Sequence, residues 1–467
     1  MSVLAQMPAD SSLYRPPAPS PISPVRSLLR MMWRRERSLL SLVPIDAYRE
    51  MTMVVGKTRR GILLVNEPSL VTHILSDPHG IFPKNDLMVD ALEALVGDAM
   101  FVSSGDLWRS QRRMIEPAFS HMRINRAFGQ MTAAVDHHEA WLDALIARGE
   151  TYSLDQAMGH LTADVITRTI FSSPLESQAA QDVFAAFTVF ERTVASVNIK
   201  ALLLDKPWSR TNQPPAVLEA CRLIRKHIGD MIDPRLVPDA PVHDDLAAAV
   251  IAARDGESGA GFTREELVDE LGVFFLAGHE TSASVLTWVF YLLAMQPQVV
   301  ARIRDEVDSV VGDGPMEIEH AKRLPFIRSV FRETMRLYPP ITFLPRVATE
   351  DTTIGPHAVK RGTMLMIAPW TIHRHERLWD NPDRFDADRF SPERERTMPP
   401  GAYIPFGIGP RVCVGAAFAT LEAALIIARL VRRYDFQVVS SDPVIPVARL
   451  TTRPLHEIIV RARRRSV

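Results

Sequence analysis

The run LGVFFLAGHETSASVLTWVFYLLAM, residues 271–295, is apolar on nearly every face of a helix and long enough to be mistaken for a membrane span. His279 and Glu280 at its middle argue against a lipid setting, where ionisable groups are costly. Upstream, Thr263 and Glu266 form the Thr-x-x-Glu pattern of a capping box, and Pro297 marks the other end. A helix from 263 to 296 would be about 50 Å long at 1.5 Å per residue, enough to cross a whole domain. Being apolar all round, it has to be covered all round. The chain is therefore predicted to build a large, mainly helical domain around this one element.

A second feature bears on chemistry. The segment FGIGPRVCVG, residues 406–415, sets Cys413 between a glycine-rich loop and an apolar helix that reads VGAAFATLEAALIIARLVRRY. Gly407 and Gly409 take backbone torsions closed to other residues, so the loop can turn tightly and present Cys413 at its tip. The helix that follows brings N–H groups and the positive end of its dipole beside the sulfur, which favours thiolate over thiol. A thiolate so placed suits a haem iron.

The pattern Phe-Gly-x-Gly-x-Arg-x-Cys-x-Gly resembles the haem-binding loop of the cytochrome P-450 family, with matches at Phe406, Gly407, Gly409, Arg411, Cys413 and Gly415. The resemblance implies that Cys413 is the fifth ligand of the iron of haem b (iron protoporphyrin IX). Its electron donation would help to cleave the O–O bond. It also implies that Phe406 packs by the sulfur and that the loop N–H groups tune the iron. AGHETS in the long helix resembles the family's oxygen-binding segment. There Ala277 and Gly278 are small enough to let haem and dioxygen approach, and Glu280 and Thr281 are the acid and alcohol pair. The Thr281 hydroxyl would orient water, and Glu280 would link to solvent protons. A polar pair in an apolar helix needs partners. A plainer reading has Thr281 bonding back to the carbonyl one turn earlier.

FRETMRLYPP puts Glu333 and Arg336 on one helix face. By resemblance this pair is buried near the cysteine loop and joined by Arg389 from NPDRFDADRF as a structural triad. Ala387 stands where the family often has a proline nearby. For the haem propionates the resemblance offers Trp108 and Arg112 in WRSQRR, Arg346 in FLPRVA and Arg411 in the loop, since a guanidinium fork suits a carboxylate. His121 and His373 read as structural histidines. Arginines 109, 112, 113, 411, 432 and 433 read as a basic patch that would steer an acidic ferredoxin.

At 467 residues the length alone would suggest about three domains, but the motifs are spread over one unit. The reading is a proline-rich and basic extension, 1–40, followed by a single catalytic domain, 41–467. The fold class is mainly α with a small β lobe, haem lying between the long central helix and the helix after the cysteine loop. MTMVVGKTRRGILLVN reads as two strands around a turn, then a helix from Pro68 to about Ser76, and HAVKRGTMLMIAPWTIHR returns to strand pattern. Cys221 and Cys413 are the only cysteines, which suits a reducing cytoplasm. Cys221 reads as inert packing. A net charge of −1 calls for no nucleic-acid partner. The start has no signal-peptide pattern. Arg26, Arg30, Arg34, Arg35 and Arg37 belong to a basic segment with two readings: a solvated helix folded against the body, or peripheral contact with an anionic membrane.

The resulting expectation is a haem-thiolate monooxygenase that inserts one atom of dioxygen into a lipophilic substrate, a fatty acid or terpenoid. Apolar segments suggest the substrate class: Leu87, Met88, Leu92, Met100 and Phe101 ahead of the Trp108 helix, Phe274 and Ala277 in the long helix, and Ile341, Phe343 and Leu344 after it. Lacking a flavin or iron–sulfur module, the protein is expected to be a monomer that draws electrons from a ferredoxin and ferredoxin reductase. The alternatives are a peroxide-using enzyme, either a peroxygenase or a hydroperoxide isomerase, and a non-catalytic haem sensor. Glu280 and Thr281 weigh against the first, and the pocket-forming segments against the second.

Overall fold

The computed structural model describes residues 13–23, 26, 38–55, 61–194 and 213–465. Helices α1 (Pro68–Ser76), α2 (Asp86–Val96), α3 (Gly105–Ile115), α4 (His121–Arg148), α5 (Leu154–Phe171), α6 (Gln178–Val194) and α7 (Pro215–Ile232) precede the long helix α8 (Arg264–Ala294). Helices α9 (Pro297–Val311), α10 (Pro325–Leu337) and α11 (Ala416–Arg433) follow it.

The capping box of α8 is formed as the sequence predicts. Glu266 N donates to Thr263 Oγ1 at 3.2 Å, and Thr263 N donates to Glu266 Oε2 at 2.7 Å. At the far end Pro297 opens α9, where its missing N–H costs nothing. The 31 residues of α8 run about 46 Å, packed by α2, α5, α7, α10 and α11. Two of its polar side chains share one partner: Ser284 Oγ and Trp288 Nε1 both donate to Thr452 O, at 2.7 and 2.8 Å. The Trp288 ring, fully buried, stacks on Tyr338 at 3.9 Å between centroids. Among the described residues no single helix is long and apolar enough to cross a membrane.

Strands β1 (Thr52–Val54), β2 (Ile62–Val65), β3 (Leu344–Val347) and β4 (Met364–Ile367) form one sheet in the order β1-β2-β4-β3. β2 and β4 run parallel, Ile62 opposite Met364, while the outer pairs are antiparallel. The two strands and the Pro68 helix read from sequence are thus present. Past Ile367 the predicted strand pattern gives way to a helical turn, Pro369–Ile372, with the proline at its first position. Near the carboxyl end, β5 (Tyr434–Val438) pairs with β8 (Ile459–Arg464), and β6 (Pro446–Ala448) with β7 (Thr452–Pro454). The last hairpin lays β7 against α8 and so brings Arg453 to the central helix.

The proline-rich start lies along the body. Phe385 N donates to Tyr14 O at 2.9 Å, Tyr338 OH to Pro17 O at 2.7 Å and Ile45 N to Ile22 O at 2.9 Å. Of the basic segment, Arg30, Arg34, Arg35 and Arg37 lie outside the described residues, as do the side chains of Leu87 and Met88 and the turn 56–60. Cys221 is buried in α7, and burial pushes its thiol up to about 11. His121 is exposed at the start of α4, whereas His373 is buried and its Nε2 accepts from Ile404 N at 2.9 Å. That bond ties it to the chain leading into the cysteine loop.

Candidate functional site

The loop before α11 is as tight as its glycines allow. Gly407 and Gly409 have φ of +72° and +75°, in the left-handed region. A Cβ on Gly409 would stand 2.8 Å from the Leu75 carbonyl oxygen, so the loop is pressed against the end of α1. Cys413 N donates to Phe406 O at 3.0 Å, closing the turn, and Phe406 is half-buried. Cys413 is exposed at the tip. Burial pushes the thiol up, and the Gly415 N–H and the Arg112 guanidinium pull it down without prevailing. In the bare loop, desolvation of the sulfur works against the helix end, which favours thiolate.

Three cations gather beside the loop. The Arg411 guanidinium lies 4.2 Å over the Trp108 ring, and its Nη1 is buried without a hydrogen-bond partner. Arg346, buried on β3, donates to Pro345 O at 3.1 Å. Lys84, which bridges backbone to backbone with Arg346, donates its Nζ to Phe101 O. None of the three is within salt-bridge reach of a carboxylate among the described residues. Burial pulls Arg346 and Arg411 down to about 10 and Lys84 well below its usual value, and the mutual repulsion of the cations deepens the shift at Arg411 and Lys84. Cations at least half-buried, with no carboxylate in salt-bridge reach and only Asp77 acting on Arg346 and Arg411 from farther off, call for an anionic ligand. The two carboxylates of haem b fit that demand, and Cys413 fits its iron. Lys84 was missed in the sequence because a lone lysine after Pro83 carries no signal.

Arg112 lies beside the cysteine loop. It donates to Val412 O at 2.8 Å and pairs with Glu116 at 3.4 Å, tying α3 to the cysteine loop. Of the predicted basic patch, Arg411 has no carboxylate in salt-bridge reach among the described residues, and the other arginines are paired. Arg109 pairs with Asp106 at 2.8 Å, Arg113 with Asp255 at 3.0 Å and Arg432 with Asp308 at 3.1 Å, while Arg433 pairs with Glu139.

On α8, Ala277 is exposed toward the site and Thr281 half so. Thr281 Oγ1 donates to Ala277 O at 2.6 Å, the back-bond weighed as the plainer reading. Gly278 serves packing rather than ligand approach, since a Cβ there would stand 2.4 Å from Ile166 Cδ1 on α5. Glu280 departs furthest from expectation. It is 3% exposed, and its carboxylate is held by two bonds from Arg453 and one of 2.6 Å from Thr451 Oγ1. Arg453 also reaches Asp155 at 2.7 Å. Burial and the neighbouring Glu191 raise the Glu280 carboxyl against the pull of Arg453. An acid clasped in this way anchors α8 to β7. The adjacent His279 pairs with Glu191 at 2.8 Å, linking α8 to α6. Arg453 sits 173 residues from Glu280 in sequence, and nothing in TTRPLHE announces the pairing.

The triad forms in full. Arg336 Nε and Nη2 each donate to Glu333 at 2.7 Å, and Arg389 Nε adds a bond of 3.2 Å. Arg336 also donates to His373 O at 2.8 Å, Pro382 O at 2.6 Å and Arg384 O at 2.9 Å, so this buried cluster has its donors satisfied. One carboxylate thereby fastens α10 to the segment that leads to the cysteine loop. Asp386 N bonds it at 3.0 Å, so the backbone beside Ala387 is held without the proline.

The family model described as Cytochrome P-450 matches residues 21–459. A cyclooctat-9-en-7-ol 5-monooxygenase of Streptomyces melanosporofaciens is 31% identical over 86% of this chain and 85% of its own length. A pentalenene oxygenase of Streptomyces avermitilis is 28% identical over 82% and 84%. Among solved structures, the haem domain of a cytochrome P-450 superposes with a TM-score of 0.79 at 24% identity, covering 97% of this chain and 98% of that one.

Proposed function

The chain belongs to the cytochrome P-450 family as a monooxygenase, and from that premise we propose that it hydroxylates a lipophilic substrate of the terpenoid class with electrons from a ferredoxin and its reductase. The relatives named for cyclooctat-9-en-7-ol and pentalenene oxidation support the substrate class. Two free cysteines suit a cytoplasmic setting where such donors operate. The observation that carries the reading is the cysteine loop set beside three cations that have no carboxylate in salt-bridge reach among the described residues.

Haem, when bound, supplies the activation of dioxygen. We assign the chain's own residues as follows: Cys413 holds the iron, Trp108, Arg346, Arg411 and Lys84 hold the propionates, and Arg112 braces the loop. The cluster of Glu333, Arg336 and Arg389 keeps that loop in register. Thr281 donates its own proton to Ala277 O, which leaves its oxygen free to accept from a water. It therefore holds a proton donor at a fixed place in the site. Thr281→Ala is expected to retain haem and substrate binding, while product formed per reductant consumed drops steeply and hydrogen peroxide appears. A positioned proton donor contributes about 10²–10⁴-fold to such a step.

One observation favours the peroxide-using alternative. Glu280 is clasped by Arg453, and an enzyme fed with peroxide needs no acid to deliver protons from solvent. The same measurement separates the two, because an unchanged ratio in Thr281→Ala, with peroxide alone supporting product, would select the peroxygenase.

A further inference from the structure

His137, Asp164 and Glu176 form a cluster that the oxygen chemistry leaves unused, where α4 packs on α5 and the turn into α6 begins. One ligand atom from each lies within 4.8 Å of the other two. Asp164 is the fixed member, its side chain 4% exposed. Its Oδ1 accepts from Arg168 Nε and from Leu175 N, both at 2.8 Å. Its Oδ2 is buried without a hydrogen-bond partner and faces His137 Nδ1 at 3.6 Å. Glu176 repeats the pattern: Oε2 accepts from Arg168 Nη2 at 3.3 Å, while Oε1 lies 3.0 Å from His137 Nε2. Arg168 thus takes one oxygen of each acid, and the other two converge on one imidazole.

A buried carboxylate oxygen that has lost water and gained no donor is costly. At 3.6 Å the ring nitrogen is too far from Asp164 Oδ2 for a hydrogen bond. The spacing does suit two ligands of one ion, since tetrahedral zinc with bonds of about 2.0–2.2 Å sets its ligands roughly 3.3–3.6 Å apart. We propose that His137, Asp164 and Glu176 hold a divalent cation of the zinc class. One imidazole nitrogen with two carboxylate oxygens is a donor set zinc accepts, whereas magnesium and calcium favour oxygen alone. With the imidazole neutral, the form that binds metal, two carboxylates against the Arg168 guanidinium leave a net negative charge. His137 and Glu176, with side chains 51% and 47% exposed, have room to close on the ion, and water completes its shell. Arg168 orients both acids from outside. The ion would join α4, α5 and the turn into α6 in one clasp.

The test takes the haem-loaded protein, cleared of loose metal with a chelator, and titrates it with zinc chloride beside His137→Ala and Glu176→Gln. Both variants change half-exposed side chains and so keep the fold, whereas Asp164 is left intact because its Oδ1 holds Leu175 N and Arg168. After dialysis at micromolar free zinc, elemental analysis should find one zinc more per chain in wild type than in either variant. Removing a ligand should weaken binding by at least the ~100-fold that changes outside the ligand shell reach. Zinc should also raise the melting temperature of wild type and leave the variants flat, as binding to the folded state alone requires. Magnesium at the same concentration should do neither. Neither readout depends on turnover, so the result stands apart from the monooxygenase reading. Equal zinc content and equal thermal shifts in all three proteins, or no zinc retained by wild type, would overturn the site. An equal response to magnesium would overturn the zinc class.

Discussion

Cys413→Ser is expected to abolish the red-shifted absorption of the reduced, carbon monoxide-bound protein that thiolate ligation produces. A serine hydroxyl is the wrong ligand, because it keeps its proton near neutral pH and lacks the polarisable sulfur that donates charge to iron. The loop itself should survive the change, since its turn is made by backbone: Cys413 N to Phe406 O, and Gly407 and Gly409 at positive φ. The loss should therefore be specific to the ligand. Cys221→Ser is the internal control, because that thiol is buried in α7 and raised to about 11, away from any anionic role. A Cys413→Ser protein that kept the thiolate spectrum would remove the iron site from this loop.

Glu333→Ala should be the most destabilising single change away from the iron. It would leave the guanidiniums of Arg336 and Arg389, 0% and 5% exposed, without their carboxylate. Breaking a buried pair from one side costs about 3–5 kcal/mol, against a whole-domain stability of about 5–15 kcal/mol. Glu333→Gln should cost less, because an amide oxygen still accepts from Arg336 although the charge is gone. Chemical denaturation of the two variants beside wild type reads the difference directly. A loss below about 1 kcal/mol for Glu333→Ala would show the triad to be dispensable.

Legibility of the site divides by sequence distance. The caps of α8, the cysteine loop and the Glu333–Arg336 pair were readable because their partners lie within one or two turns, where spacing alone sets geometry. Partners brought by the fold were not readable. Glu280 meets Arg453 and Thr451 across 173 and 171 residues, and Ser282 meets Glu422 across 140. The small side of Gly278 was visible, but only the position of Ile166 shows that it serves helix packing. The arginines of the supposed docking patch were visible too, whereas the acids that pair with Arg113, Arg432 and Arg433 come from several other segments. Lys84 illustrates the converse, a residue with no local pattern that gains meaning from Arg346 and Arg411 beside it.

Oxygen-isotope labelling tests the central claim most directly. A lipophilic substrate chosen by its shift of the haem spectrum would be turned over with a ferredoxin system under isotopically labelled dioxygen. The account predicts one labelled oxygen atom in the product and the other in water. Product oxygen drawn from solvent water, or product formed from added peroxide with no consumption of dioxygen, would contradict it.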